Sequence, residues 1–132
     1  MDAFESLMAE VMASADRFGH REHLHLAWLA VRRHGPSAAT DLIGDGIRRT
    51  ARYAGAPQKY HVTMTHAWTH LVAHHAPDGP GNFADFLQQF PKLLDKRLLT
   101  GHYSSARLAS SDARQSWLDP DLAPFPTTHQ EP

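Results

Sequence analysis

Three histidines in this sequence combine residue type with a spacing that supports chemistry. His20 and His23 stand three residues apart in Phe18-Gly-His20-Arg-Glu-His23-Leu24, and His61 follows Tyr60 further along the chain. Two imidazoles at i and i+3 lie on neighbouring turns of a helix, close enough to share an ion. An imidazole from the first turn of a second helix would complete a face of three nitrogens. Three protein ligands with a position left open is the pattern of a catalytic metal site. All-imidazole ligation suits Zn, Cu, Fe or Ni and disfavours Mg and Ca, which take oxygen. The expected cofactor is therefore one transition-metal ion (Cu, Fe or Zn) on His20, His23 and His61. The simpler alternative is three core histidines, each hydrogen-bonded to a hydroxyl or a carbonyl. Three neutral rings together are harder to satisfy that way, because each brings a donor and an acceptor.

Helical phase selects these three from the 11 histidines of the chain. Successive residues advance about 100° around a helix axis. With His20 as origin, Leu24, Ala27, Trp28 and Val31 fall within about 80° of it and His23 about 60° to the other side. His25 falls about 140° away, with Arg21 and Arg32, toward solvent. On a later helix Tyr60, Met64, Trp68, Leu71 and Val72 form an inner face that contains His61. His66 and His70 lie opposite and His74 on the border, an i, i+4 ladder that reads as a solvated face. His34 sits in the last turn of its helix, where positive charge is favourable. His75, His102 and His129 fall at or near loops.

Around such a metal the expected catalytic partners are Tyr60, Tyr103 and Asp95. Tyr60 orients a ligand or ends in the core. Tyr103 donates a proton or contacts substrate. Asp95 holds the second nitrogen of a histidine or forms a surface ion pair with a nearby base. Thr65, one turn after His61, is a candidate hydrogen-bond partner for a histidine nitrogen. Glu22 falls on the outer side of its helix and there is no His-Glu-x-x-His motif, which weakens a zinc-hydrolase reading. The expectation is a small mononuclear metalloenzyme acting on a small molecule, by redox chemistry rather than hydrolysis. The alternatives are a zinc-type hydrolase or lyase, metal storage or transfer, and a non-catalytic small-molecule or metal-binding accessory protein.

The elements that must position these residues read as helices almost throughout. Phe4, Leu7, Met8, Val11 and Met12 share one face of a first helix within residues 2–17. A second helix runs from about 20 to 33 and ends at His34-Gly35-Pro36. A third spans about 37–53 with Ala39, Leu42, Ile43, Gly46, Ile47 and Thr50 inward. There Gly44 and Gly46 either allow close approach or are merely tolerated. A fourth runs from about 58 to 75. Asn82 caps a short helix bearing Phe83, Phe86, Leu87 and Phe90. Pro91 restarts a helix that carries Leu93, Leu94, Leu98 and Leu99 and ends near Gly101. Ser104 and Ser110 or Ser111 cap short helices that place Leu108 and Trp117. Residues 119–132 read as extended or disordered, with Leu122 and Phe125 pinning the first half. The fold class is all-α, a single-domain bundle of five to six helices over 1–126 with a flexible tail at 127–132.

Bulk properties remove several classes of function. The chain has 132 residues, 13 Lys+Arg against 14 Asp+Glu, a net charge of −1 and no cysteine. There is no thiolate chemistry and no basic block of a nucleic-acid binder. No apolar run reaches the roughly 18 residues of a membrane span. The acidic, amphipathic start does not read as a signal peptide, so the expected location is the cytoplasm and the expected partner a small-molecule substrate. A dimer is compatible with all of this.

The strings Phe18-Gly-His20-Arg-Glu-His23-Leu24, Lys59-Tyr60-His61-Val-Thr63-Met-Thr65, Leu93-Leu94-Asp95-Lys96-Arg97-Leu98-Leu99 and Asp119-Pro-Asp121-Leu122 resemble a family of small all-helical bacterial proteins. The resemblance covers residues 18 to 126. It implies that His20, His23 and His61 are the pattern histidines and that His25 and His66 are local additions. It implies no particular reaction.

Overall fold

The structure is a computed structural model and describes residues 2–53, 60–76 and 81–126. Helices dominate and there is no strand among the described residues. Helix α1 (Ala3–Met12) starts in a reciprocal cap, with Glu5 N–H on Asp2 Oδ1 at 2.8 Å and Asp2 N–H on Glu5 Oε1 at 3.3 Å. It stops short of the expected 17. Helix α2 (His20–His34) follows, and Gly19 donates its N–H to Glu22 Oε1 at 2.9 Å. That bond satisfies a donor at the helix entrance and gives Glu22 a structural role. Gly35, at φ +86, closes α2 in a conformation side chains resist, and α3 (Pro36–Tyr53) begins immediately.

The first four helices supply most of the core, with α2 packed against α1, α3 and α4, and Phe83, Phe86, Leu93, Leu99 and Tyr103 complete it from later elements. Its Leu24, Leu26, Ala27 and Ala30 are fully buried. Helices α1 and α3 meet where Phe4 lies across Gly46, and a Cβ on Gly46 would overlap the Phe4 ring. Of the two readings of Gly46, close approach is the one observed.

Helix α4 (Val62–His75) begins later than the pattern predicts. Tyr60 and His61 precede it, His61 being the extended N-cap; residues 58 and 59 lie outside the described part. The phase assigned to this helix therefore misplaces its first residues. Met64, predicted inward, is 38% exposed, while Thr63, Thr65 and Thr69 are buried.

Helix α5 (Phe83–Gln89) is capped by Asn82 as expected. The single helix predicted from Pro91 is instead two 3₁₀ turns, Pro91–Leu94 and Lys96–Gly101. Asp95 is extended between them and caps the second by accepting from Arg97 N–H at 3.0 Å. An Asp that bonds its local backbone competes with helix continuation. Leu94 consequently points out, at 44% exposure. Helices α6 (Ser105–Ala109) and α7 (Ser111–Gln115) are capped by Ser104 and Ser110.

The described residues after α7 are held to the bundle by hydrogen bonds to their backbone and to the Asp121 carboxylate. Leu122 N–H reaches His102 O at 2.9 Å, and Tyr103 Oη donates to Leu118 O at 2.7 Å. Asp121 accepts from Ser104 N–H and Oγ at 2.8 and 2.7 Å. Leu122 pins nothing with its side chain, which is 58% exposed; Phe125 does pack, among His70, His102 and Tyr103. The predicted tail, 127–132, lies outside the described residues. No helix among the described residues is long and apolar enough to cross a membrane.

Candidate functional site

The start of α2 faces α4 and the first 3₁₀ turn, and this is where His20 and His23 lie. His20 is half-buried; its ring meets Trp68 edge-on at 4.4 Å between centroids. Its Nε2 lies 2.8 Å from Leu93 O. A carbonyl only accepts, so Nε2 carries the hydrogen and Nδ1 is left with a lone pair.

His23 lies one turn along. The residue retains some exposure, but Nε2 is enclosed and has no hydrogen-bond partner. Burial pulls its pKa from the usual 6.5 down to about 4, and the neighbouring His20 pushes the same way. The Thr65 backbone opposes them, the smallest of the three influences. The ring is therefore neutral near pH 7, with an enclosed nitrogen that nothing satisfies. Unpaired buried polar atoms are uncommon in folded proteins. The other such side-chain atom among the described residues is Trp28 Nε1, an indole donor with no lone pair to offer an ion.

His61 is buried, at 9% exposure, although it precedes α4 as an extended cap where helical phase does not apply, and its ring is fully engaged. Nε2 donates to Leu108 O at 2.8 Å and Nδ1 accepts from Met64 N–H at 3.1 Å. The second bond caps α4; the first ties α4 to α6. As placed, His61 has no nitrogen left for a metal. Among the described residues no three His, Cys, Asp or Glu side chains gather where one ion could be held. The structure thus keeps His20 and His23 together and gives His61 a separate structural task.

The expected catalytic partners are dispersed. Asp95 is on the surface with Arg97 at 3.1 Å, and that bond holds its carboxyl below the usual range. It holds no histidine nitrogen. Tyr103 is buried, with its hydroxyl bonded to Leu118 O, and burial pushes its pKa up to about 12. That hydroxyl is spent on the backbone and is a poor proton donor. Tyr60 is half-buried beside Gly44, where burial raises its pKa. Thr65 is buried near His23 and contributes through its backbone.

Several histidines read as solvated are not. His25 stacks flat on Phe83 at 4.3 Å, and His66 and His70 lie under the C-terminal segment, His70 donating to Pro126 O at 3.1 Å. Burial lowers the pKa of His25 and of His66. The mid-helix Gly44 makes room for His66: its Nε2 would lie 3.0 Å from a Cβ at that position. The glycine was visible in the sequence; its neighbour across the fold was not.

Comparison of the chain with protein-family models, with curated proteins and with solved structures finds no match.

Proposed function

We propose that this chain binds one transition-metal ion through His20 and His23 and leaves the other coordination positions to water or a small molecule. The supporting observation is the enclosed, unpartnered Nε2 of His23 one helical turn from His20. A backbone carbonyl on the far nitrogen of His20 is the usual orienting partner of a metal-bound imidazole. An ion on two nitrogens with several open positions supplies Lewis-acid or redox chemistry to whatever enters them. In this reading His61 is an architectural residue.

The test is titration of untagged, chelator-treated protein with Zn(II), Co(II) and Cu(II), followed by calorimetry and, for cobalt, visible absorption. About one ion per chain is expected for a single site. His20→Ala and His23→Ala should each abolish binding while circular dichroism stays helical. His61→Asn, which keeps a good cap, should retain it. No binding by the native chain overturns the proposal, as does binding that survives both alanine variants or is lost only with His66, His70 and His74. Loss in His61→Asn with the fold intact would replace the pair with the three-histidine site.

A further inference from the structure

A cavity of about 320 Å³ lies between α4 and the two 3₁₀ turns, and neither His20 nor His23 lines it. Leu71 of α4 and Leu93 and Leu98 of the turns form its apolar walls, with Phe90 at one side. The volume falls at the lower end of the range of small-molecule sites, which are largely apolar with a few polar groups that orient the ligand. The polar lining holds one fixed cation and no fixed anion among the described residues. Lys92, His75 and His102 line the cavity, and no carboxylate does so among the described residues. Lys92 belongs to no ion pair among those of the described residues. His75 stacks on Phe90 at 4.5 Å, and His102 is oriented by Nδ1 on Ala123 O at 3.0 Å. Gln89 adds an amide.

We propose that this cavity is a binding site for a small carboxylic acid with an apolar body. The hydrocarbon part fills the space between Leu71, Leu93 and Leu98, where burial of apolar area drives association. The carboxylate sits at the Lys92 side, the one fixed cation of the lining. Charge selects the acid over an amine, because an ammonium head would face the Lys92 ammonium with no carboxylate in the lining to pair with.

The experiment uses three probes of one shape: 3-phenylpropanoate, 3-phenylpropanol and 3-phenylpropylamine. Each is titrated into the full chain at neutral pH with chelator present, followed by amide and methyl NMR shifts. Chelator makes the result independent of the metal proposal. The acid should bind best, with shifts centred on Leu71, Phe90, Leu93 and Leu98. Lys92→Ala should weaken the acid about fivefold, the scale of a solvent-exposed ion pair, and leave the alcohol unchanged. Leu98→Trp should abolish binding of acid and alcohol together by filling the cavity. The proposal is overturned if no probe binds in the millimolar range, if the amine binds as well as the acid, or if shifts lie elsewhere. Should Leu98→Trp unfold the chain, the Lys92→Ala selectivity ratio of acid to alcohol decides alone.

Discussion

At the residue scale, His23 and His61 show how two inward histidines can have opposite situations. Each nitrogen of His61 meets a backbone partner, so the ring is neutral with its hydrogen on Nε2. Nitrogen-15 chemical shifts should report that tautomer. His61→Ala should destabilise the chain by about 2 kcal/mol, read as a shift in urea midpoint, from a lost cap plus an unpaired Leu108 carbonyl. His23 keeps a nitrogen with no partner, and its folded pKa of about 4 lies below the ordinary 6.5. A depressed histidine pKa means that the unfolded chain binds more protons between those values. The stability this ring contributes is therefore complete above about pH 6.5 and is lost as pH falls toward 4. Urea denaturation in chelator at a series of pH values should show that loss, and His23→Leu should flatten it. The inward direction of His20 and His23 was legible from the helical phase of α2. What each nitrogen touches was not, because the partners Leu108, Leu93 and Thr65 lie far away in the chain.

At the element scale, capping residues decided most boundaries. Asp2, Asn82, Ser104 and Ser110 all cap helices, and each is a residue type that reveals itself in a sequence. His61 is a cap too, but imidazole is an uncommon one, so α4 was expected to start earlier. Asp95 misled in the same way, as a cap inside an apolar stripe that otherwise reads as continuous helix. The α1–α3 contact depends on one missing side chain. Gly46→Ala raises helix propensity by about 1 kcal/mol. Even so it should destabilise the protein by about 1–3 kcal/mol, because the new methyl overlaps the Phe4 ring. Thermal denaturation checks the sign. A pairing of Gly46→Ala with Phe4→Leu should recover part of the loss.

At the scale of the whole molecule, the C-terminal segment closes the bundle by bonds to its backbone. Thr63 is the centre of this arrangement: fully buried, its hydroxyl donates to Ser116 O at 2.8 Å and accepts from Leu118 N–H at 3.1 Å. Thr63→Val keeps the shape and removes both bonds, leaving two backbone groups unpaired. A loss of about 1–3 kcal/mol is expected, with faster proteolysis between Trp117 and Pro126 while cleavage within α2 stays slow. The same segment covers His66 and His70, which is why a histidine ladder that looked solvated is half-buried.

Local patterning by itself determined the all-helical class, several of the caps, the inward direction of His20 and His23, and the Gly35 stop. These follow from periodicity, capping chemistry and backbone sterics within a few residues, all of which a sequence displays directly. Only the tertiary structure decided that His61 is consumed by capping, that Tyr103 and Asp95 are spent on the backbone and on Arg97, and that a base-lined cavity opens beside Leu93. Those outcomes depend on which distant backbone group lies within hydrogen-bond reach of a ring nitrogen or a hydroxyl. Packing sets that distance, and spacing along the chain does not encode it.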